Sequence, residues 1–390
     1  MNIAVLGGGN IGTQFACVCA SEGHNVSVYT SRPETWSKDL EAHNDDGSIT
    51  HGRISLVSDD IAEVLDDREI IFITHPAFML KKTSDMIAPY IHRGSCIGII
   101  PGTGGAEFAF SECVKKGAVL FGLQRVPSVA RVIAPGKSVR TEGYRDRLKL
   151  AAIPYSESVH LAGIMSGLFG IPCDVLPNYL NVTLTPSNPI LHTTRLRTLF
   201  AGYHEGVISP ENPLFYGSWS DESSRLLFIC DDELQRLCAE IQRRKMYAFD
   251  LSEVKSLKVH YESFTPEALT RKIRSIKSLH ALRSPMKSLD GGYIPDFGSR
   301  YFTADFPYGL AIIEEIAGLF GVDVPNISET MLWYRENTGD NTHFRLENFG
   351  IKTTEDFCSI YLQKGLNKMS AKHYDFDQTR PDKTRPLLMA

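Results

Sequence analysis

Three glycines close to the N-terminus have the spacing of a phosphate-binding turn. In the segment GGGNIG, Gly7, Gly9 and Gly12 fit the pattern GxGxxG, between an apolar segment and a stretch of helical character. In such a turn the first glycine permits the tight bend, the second lets the backbone approach a pyrophosphate, and the third lets the helix pack on the sheet. Together with Asn10 and Ile11 at the helix start, they are predicted to bind the phosphates of a dinucleotide. The alternative is a plain tight turn in another kind of α/β domain.

The end of the second predicted strand carries residues that favour NADP(H). A carboxylate at this point normally binds the ribose 2′-hydroxyl of NAD, but Thr30, Ser31 and Arg32 stand here instead. Two hydroxyl groups and a guanidinium group suit a 2′-phosphate, which a carboxylate would repel. We therefore predict NADP(H) as the preferred cofactor. NAD(H) is the alternative, because Glu34 lies nearby.

Two later strand ends are predicted to border the cofactor, because ligands of such sheets bind outside the carboxyl ends of the strands. The buried segment EIIFI ends at Thr74, and His75 follows it. The next apolar segment, SCIGII, runs into Pro101 and Gly102. Thr74, Pro101 and Gly102 are therefore predicted to contact the cofactor, with His75 as a wall residue. The second glycine-rich turn either meets an anionic substrate group through its amides or is only a loop.

Two stretches in the second half contain side chains suited to proton transfer and to anion binding. In LTPSNPILHTTRL, Asn188 lies at a predicted helix start and His192 falls on that helix. In SRYFTADFPYGL, Arg300 and Asp305 lie five residues apart just before another helix. Plainer interpretations are open. His192 could cap a helix or fill the core, Arg300 and Asp305 could form a structural ion pair, and Asn188 either contacts substrate or only shapes the helix start.

The order of the predicted elements indicates the class of the first domain. A strand, the glycine turn, a helix and a second strand follow one another within residues 2–30, which is typical of an α/β dinucleotide-binding domain of the Rossmann type. Strand and helix then continue to alternate. We expect residues 138–154 to add strands to the sheet and residues 171–180 to return as a strand. This domain is predicted to span residues 1–182.

The pattern changes in the second half, where long helical segments replace the alternation. The clearest helix is predicted over residues 222–245, whose apolar residues recur on roughly one face. We therefore expect a mostly α-helical domain over residues 183–370, which would bind the substrate. Residues 371–390 have mixed charge and two prolines, and they are predicted to form a flexible tail.

The composition is that of a globular protein. The chain has 390 residues, 43% of them hydrophobic, and a formal net charge of -5. No block of lysine and arginine dominates, which argues against a nucleic-acid partner, and no apolar run reaches the ~20 residues needed to span a bilayer. The eight cysteines occur singly and none forms a CxxC pair, which indicates free thiols in a reducing compartment. We expect a cytoplasmic protein with no metal site and no membrane partner.

Taken together, these motifs resemble those of the opine dehydrogenases, the family of octopine and nopaline dehydrogenase. The resemblance covers nearly all of the chain and rests on the glycine turn, on SNP…H, on SRYFTADFPYGL and on GVDVPNI after the following helix. It implies an NAD(P)H-dependent enzyme that condenses the amine of an amino acid with a 2-oxo acid and reduces the resulting imine. It also implies that His192 is the catalytic histidine, Asp305 its carboxylate partner, and Arg300 the ligand of a substrate carboxylate. The chain departs from NADH-using members of the family at TSRP.

Two other functions share the first domain. A 2-oxo acid reductase of the ketopantoate or 3-hydroxy acid dehydrogenase type typically uses a catalytic lysine, and residues 184–196 and 299–310 contain none. A non-catalytic dinucleotide-sensing protein would not need the histidine, arginine and carboxylate together. We expect small-molecule substrates bound in a cleft between the domains of a monomer or a homodimer. Side-chain specificity is expected to come from loops such as residues 124–131 and 212–219.

Overall fold

The computed structural model describes residues 1–244 and 249–362. The predicted tail, residues 371–390, lies outside the described residues. The strands of the first half are β1 (Asn2–Leu6), β2 (Asn25–Tyr29), β3 (Asp39–Asn44), β4 (Ile49–Arg53), β5 (Leu56–Ser58), β6 (Ile70–Ile73), β7 (Cys96–Ile99), β8 (Val119–Leu123), β9 (Val129–Ala134), β10 (Ser138–Glu142), β11 (Leu148–Ile153) and β12 (Cys173–Val175). Its helices are α1 (Asn10–Ser21), α2 (Ile61–Leu65), α3 (Leu80–Ile87), α4 (Ala106–Ala109), α5 (Ser111–Lys115) and α6 (Ser158–Phe169).

Within the described part of the chain, eight of these strands form one sheet in the order β12-β11-β8-β7-β6-β1-β2-β5. Neighbours from β8 to β5 are parallel, and β11 runs antiparallel to β8. Both faces of β1 are buried, as a parallel sheet covered on both sides requires. Ile3 and Val5 face one apolar cluster, whereas Ala4 and Leu6 face another. This confirms the predicted α/β dinucleotide-binding architecture, and it brings the carboxyl ends of β1, β2, β6 and β7 to one edge.

Four other described strands form a second sheet, in the order β4-β3-β10-β9, which the sequence analysis did not foresee. This sheet packs on α1. A Cβ atom on Gly52 of β4 would lie 2.2 Å from the carbonyl oxygen of Cys17, so glycine permits the close approach. The expectation that residues 138–154 all extend the main sheet is therefore wrong for β10 and confirmed for β11. The strand expected over residues 171–180 is present only as β12, and the chain is helical again from Leu180.

The second half is mostly helical, as predicted. Its helices are α7 (Leu180–Thr183), α8 (Ser187–Leu199), α9 (Asp221–Arg243), α10 (Leu257–His260), α11 (Pro266–Arg274), α12 (Lys277–His280), α13 (Arg300–Thr303), α14 (Ala311–Phe320), α15 (Pro325–Thr338) and α16 (Thr354–Leu362). A hairpin of β13 (Met286–Leu289) and β14 (Gly292–Pro295) interrupts them. Among the helices in residues 1–244 and 249–362, none combines the length and the apolar character required to cross a lipid bilayer.

The predicted long helix is α9, which begins at Asp221 and packs against α8, α11, α14 and α15. The side chain of Ser220 caps it by accepting a hydrogen bond from the backbone N–H of Ser223, which supplies a partner for an amide at the helix start. Leu227, Leu234 and other apolar residues on one face lie in the core of the second half. This core carries α8, on which His192 lies, and α13, on which Arg300 lies.

The two halves of the chain share a buried junction near residue 182. Tyr179 and Val182 pack in a core of the first half, whereas Leu180 and Leu184 pack in the core of the second half. Neighbouring residues thus alternate between the two cores, because the short helix α7 lies between them. The boundary at residue 182 stays a prediction.

A buried carboxyl group joins the two halves at this junction. Glu107 on α4 is fully buried. It accepts hydrogen bonds from the hydroxyl of Thr183 and, at 2.8 Å, from the hydroxyl of Tyr361 on α16. Among the described residues, its Oε2 atom has no hydrogen-bond partner. Burial raises the pKa of Glu107 to about 7, so this carboxyl group changes its charge near neutral pH.

Candidate active site

The glycine turn has the backbone geometry that its sequence predicts. Gly7 has a φ of +117°, a backbone conformation that residues other than glycine rarely adopt. A Cβ atom on Gly12 would lie 1.7 Å from the carbonyl oxygen of Gly7, so the helix can approach the strand only because Gly12 has no side chain. A Cβ atom on Gly9 would meet open space, and Gly9 is exposed. The turn therefore presents an uncovered backbone at the carboxyl edge of the sheet.

The start of α1 faces the same edge. Thr13 makes the first hydrogen bond of the helix, from its N–H to the carbonyl oxygen of Gly9 at 2.9 Å, so the preceding amides of the first turn can bind an anion. Ile11 and Asn10 are half-buried in this turn. The Asn10 side chain accepts a hydrogen bond of 2.8 Å from the N–H of Val132 on β9. The second sheet therefore holds the helix start in position, a role that sequence reasoning missed.

The segment after β2 lies beside the glycine turn. A Cβ atom on Gly8 would lie 3.3 Å from the hydroxyl oxygen of Thr30, so Thr30 is adjacent to the turn. Ser31 and Arg32 are exposed. The N–H of Arg32 donates a hydrogen bond of 3.4 Å to the Thr30 hydroxyl, and among the described residues no carboxylate forms an ion pair with the Arg32 guanidinium. These groups are available to an anionic ligand at this corner of the sheet.

The end of β6 also contacts the glycine turn. The Thr74 hydroxyl donates to the carbonyl oxygen of Leu6 at 3.1 Å, and it lies 3.3 Å from that of Gly7. The Nδ1 atom of His75 lies 2.8 Å from the Thr83 hydroxyl, and burial lowers the pKa of His75. Thr74 thus supports the turn, and the His75 ring is held by Thr83; the place of His75 in the wall of a cofactor site stays a prediction.

The two predicted cofactor contacts in the second glycine-rich turn differ in exposure. Pro101 is exposed, whereas Gly102 is buried. Gly102 donates to the carbonyl oxygen of Leu123 at 2.8 Å and accepts from the Tyr179 hydroxyl at 3.0 Å. A Cβ atom on Gly102 would lie 2.7 Å from the Cα atom of Gly122, so this glycine is needed for packing between neighbouring strand ends. Its predicted contact with a cofactor stays a prediction.

The second half of the chain brings together two residues that lie 113 positions apart in sequence. The Nδ1 atom of His192 lies 2.8 Å from Oδ2 of Asp305. Only 12% of the histidine side chain and 17% of the aspartate side chain are exposed, so water screens their interaction little. The N–H at Nδ1 donates to the carboxylate, which holds the imidazole in one orientation and leaves Nε2 to interact with other groups.

Asp305 lies at the start of a wide helical turn. Over Phe306–Leu310 the backbone hydrogen bonds span five residues, since the N–H of Leu310 donates to the carbonyl oxygen of Asp305 at 2.8 Å. Such π-type turns are rare. The turn packs closely on the start of α8, because a Cβ atom on Gly309 would lie 3.1 Å from the Pro189 ring. The close contact brings the start of this turn up against the helix that carries His192.

Two tyrosines complete the surroundings of His192, and sequence reasoning assigned neither of them. The Nε2 atom of His192 lies 2.9 Å from the hydroxyl of Tyr216. The Tyr301 ring lies with its centroid 4.7 Å from that of the imidazole. Burial raises the pKa of both tyrosines, so both hydroxyls stay protonated near neutral pH. Tyr301 is part of the SRYFTADF stretch and Tyr216 lies in the loop of residues 212–219, but no local pattern pairs them with His192.

The two residues predicted to bind substrate are exposed to solvent. Arg300 begins α13 and is exposed, and Asn188 is exposed in the first turn of α8. Asp305 bonds to His192 instead of Arg300, and among the described residues no carboxylate forms an ion pair with Arg300. The interpretation of Arg300 and Asp305 as a structural ion pair is therefore wrong. The Arg300 guanidinium is available to an external anion.

Comparisons with known proteins identify the family. A model described as "NAD/NADP octopine/nopaline dehydrogenase, alpha-helical domain" matches residues 175–338. Over 366 residues the chain is 28% identical to octopine dehydrogenase from Mizuhopecten yessoensis, a match that covers 87% of this chain and 90% of that protein. The helical domain of the chain therefore belongs to the octopine/nopaline dehydrogenase family.

Further comparisons agree with membership in the octopine/nopaline dehydrogenase family. Opine dehydrogenase from Haliotis discus hannai is 26% identical over 371 residues, covering 87% of this chain and 90% of that protein. A structure of octopine dehydrogenase with NADH and L-arginine has the same fold, with a TM-score of 0.82, 23% identity, and coverage of 95% of this chain and 100% of that one. A model of "NAD-dependent glycerol-3-phosphate dehydrogenase N-terminus" matches residues 2–108. The cofactor class of this family member is therefore a nicotinamide dinucleotide.

Proposed function

We propose that the protein is an opine dehydrogenase, which joins the amine of an amino acid to a 2-oxo acid by reductive condensation and catalyses the reverse oxidation. One observation carries the proposal: His192 and Asp305 form a hydrogen-bonded pair whose aspartate lies five residues after the exposed Arg300, in a chain that also has a glycine turn suited to a dinucleotide. The pair suits proton transfer, and the arginine suits a carboxylate. When bound, the dinucleotide supplies the hydride for the reduction and accepts it in the reverse direction.

His192 is proposed as the group that moves protons. The amine must lose a proton before it attacks the 2-oxo carbon, and the carbinol oxygen must gain one before it leaves as water. The Nε2 atom of His192 can take up and return that proton, because its other nitrogen is engaged by Asp305. Asp305 stabilises the imidazolium between the two steps. Tyr216, hydrogen-bonded to Nε2, orients the imidazole before the substrates bind.

Arg300 is proposed to bind a substrate carboxylate. Both substrates of the proposed reaction carry one, and a guanidinium group can form two parallel hydrogen bonds with a carboxylate. Arg300 and Asp305 lie on the same short segment, so a substrate held by the arginine is near the histidine–aspartate pair. Asn188, exposed on the first turn of α8, is proposed as a second substrate contact.

For the cofactor, we propose NADP(H) in preference to NAD(H). The dinucleotide fits the first domain, because the uncovered backbone at Gly9 and the first-turn amides of α1 suit a pyrophosphate. Thr30 lies next to this turn, and Ser31 and Arg32 follow it, with no carboxylate partner for the arginine among the described residues. Their hydroxyl and guanidinium groups would bind a 2′-phosphate.

The proposed partners are small molecules, an amino acid and a 2-oxo acid, bound by a monomer or a homodimer. A cytoplasmic location is part of the proposal. Each of the eight cysteines lies in the described part of the chain and is a free thiol, which is the usual state in a reducing compartment.

The test is whether oxidation of the reduced cofactor requires an amine. The purified protein is mixed with NADPH, or in parallel with NADH, and with each of a matrix of amino acids and 2-oxo acids, and the absorbance of the reduced cofactor is followed. Oxidation only when amine and oxo acid are both present is the expected result. Oxidation with oxo acid alone would favour a 2-oxo acid reductase, although no lysine occurs in the stretches that carry His192 and Asp305. Binding of the dinucleotide without turnover would favour a sensing protein.

A further inference from the structure

A cavity of about 280 Å³ lies between the two halves of the chain. Segments that follow β8 and precede β11 line it on one side, and the segments before α8 and around α10 line it on the other. Its charged walls are strongly basic. The Lys, Arg and Glu residues that line it are Arg125, Arg145, Arg147, Lys149, Lys255 and Glu253. Positive charge therefore dominates the cavity.

Three of these cations have carboxylate partners. Arg147 pairs with Asp174 at 2.7 Å. Lys149 hydrogen-bonds with Glu253, and the ammonium nitrogen of Lys255 lies 3.6 Å from the same carboxylate. Their charges are thus wholly or partly balanced by the protein itself.

The other two cations, Arg125 and Arg145, have no such partner: in residues 1–244 and 249–362, no carboxylate lies within 4 Å of either guanidinium. Arg145, which lines the cavity, donates a hydrogen bond of 3.0 Å from Nε to the carbonyl oxygen of Val126. Desolvation by the surrounding protein, together with the charge of Arg125, lowers the pKa of Arg145 to about 10. Desolvation lowers the pKa of His260 to about 4, and the charges of Arg125, Arg145 and Lys149 add to this shift. The pair creates a positive potential that an anion would relieve.

The cavity lies beside the N-terminal end of the helix that carries His192. Thr185 and Pro186 line it, and α8 begins at the next residue. His192 is six residues beyond Pro186, or roughly 9 Å along the helix axis at the ordinary rise per residue. A substrate that reacts beside His192 would have to bridge this distance to place a second charged group between the two arginines.

The same cavity is remote from the predicted 2′-phosphate site. Gln124 directly follows β8 and lines the cavity, whereas Arg32 follows β2. Three strands, β7, β6 and β1, separate β8 from β2, which corresponds to roughly 19 Å at the usual strand spacing of about 4.8 Å. A phosphate bound at Arg32 therefore cannot also lie between Arg125 and Arg145.

We propose that Arg125 and Arg145 bind a second carboxylate of the substrate, so that one substrate of the proposed opine reaction is a dicarboxylic acid. The inference rests on the proposed function, in which Arg300 already takes one carboxylate. The second carboxylate belongs either to a dicarboxylic 2-oxo acid or to the side chain of an acidic amino acid. Both sources present the same group to the arginines, and the experiment separates them.

The test measures binding directly as well as turnover. The enzyme loaded with NADP is titrated calorimetrically with 2-oxoglutarate, pyruvate, L-glutamate and L-alanine, each alone. Wild-type protein should bind one of the two dicarboxylic compounds at least tenfold more tightly than its monocarboxylic counterpart, and that compound identifies the source. Arg125→Gln and Arg145→Gln should each weaken its binding about 10- to 100-fold, the usual loss for a charge-assisted hydrogen bond, with little change for the monocarboxylic compound.

Arg147→Gln is the matched control. Arg147 lines the same cavity, but Asp174 already balances its charge, so this variant should keep the preference for the dicarboxylic compound. Arg125→Lys keeps the positive charge and should retain most of the affinity, which separates charge from a folding defect. Equal binding of mono- and dicarboxylic compounds by the wild type would overturn the inference, as would an equal loss in Arg147→Gln and Arg125→Gln.

The outcomes for the two proposals differ. Amine-dependent turnover without any dicarboxylate preference would leave the opine reaction standing and refute the role of the two arginines. A dicarboxylate preference in calorimetry, lost in both glutamine variants, with no turnover for any pair of amine and oxo acid would support the anion site and refute the opine reaction.

Discussion

The pair of His192 and Asp305 gives the most stringent test of the proposed chemistry. We expect His192→Ala to lower kcat by roughly 10²–10⁴-fold, the range for loss of a general acid–base. Asp305→Asn removes the charge on a contact of 2.8 Å between side chains that are 12% and 17% exposed. A hydrogen bond to a charged group is worth about 1.5–3 kcal/mol, so kcat should fall by roughly 10- to 100-fold.

The double variant decides whether the two residues act as a unit. If Asp305 works only by orienting and stabilising the His192 imidazole, it has no function once the imidazole is gone. The double variant should then be hardly slower than His192→Ala alone, since the effects of residues in one relay do not add. The expected coupling between the two substitutions is therefore as large as the whole effect of Asp305→Asn.

The assay is the amine-dependent oxidation of NADPH under saturating substrates, with NADPH binding followed by fluorescence titration. Binding of NADPH should be unchanged in all three variants, because the first half of the chain is untouched. A matched control is His43→Ala, which removes a histidine that also lies beside a carboxylate, Glu41 at 3.1 Å, but on the second sheet. Additive effects of the two substitutions would show independent roles, and a His192→Ala protein near the wild-type rate would refute the mechanism.

Three further predictions follow from other parts of the structure. Arg32→Ala should raise the KM for NADPH about tenfold or more and that for NADH little, because a charge-assisted contact to phosphate is worth about 1.5–3 kcal/mol; a wild-type preference for NADH would contradict it. Arg300→Lys keeps the charge but loses the planar fork, so the KM for one carboxylate substrate should rise with the Kd for NADPH unchanged, whereas unchanged substrate kinetics would indicate a structural role. Burial raises the pKa of Glu107 from 4.5 to about 7, so the folded state retains a proton that the unfolded chain loses. The free energy of unfolding should therefore fall by on the order of 3 kcal/mol as the pH rises from ~4.5 through 7. Glu107→Gln should remove this loss in urea unfolding at pH 5 and pH 8, and an identical pH dependence in both proteins would refute the role of the buried carboxyl group.

Local sequence determines the dinucleotide-binding turn. The bend at Gly7 and the close approach at Gly12 are set by backbone geometry and by the absence of a Cβ atom, and both are readable from residue type and spacing. The same holds for α9, where the recurrence of apolar residues and the serine cap act over neighbouring turns. These elements were predicted within a few residues because their stabilising contacts lie close in sequence.

The second sheet was missed because its strands depend on partners far away in the chain. β3 and β10 pair in parallel, with Thr141 opposite Asn44, and their short, mixed sequences resemble loops until the partner is known. The strand expected over residues 171–180 is shorter than predicted, because the residues after β12 have another place in the fold. Its apolar residues are needed at the junction of two cores, where Leu180 and its neighbours form a short helix.

The fold class, the glycine turn and the candidate catalytic side chains could be predicted from the sequence alone. The sequence left open whether Asp305 pairs with Arg300 or with His192, because spacing along a short segment says nothing about a residue 113 positions away. Only the packing of the wide turn after Asp305 against the start of α8 decided for His192. The tertiary fold also places the hydroxyl of Tyr216 2.9 Å from Nε2 of His192. Hydrogen bonds between distant segments are selected by the tertiary fold, because burial excludes the water that would otherwise compete for each partner.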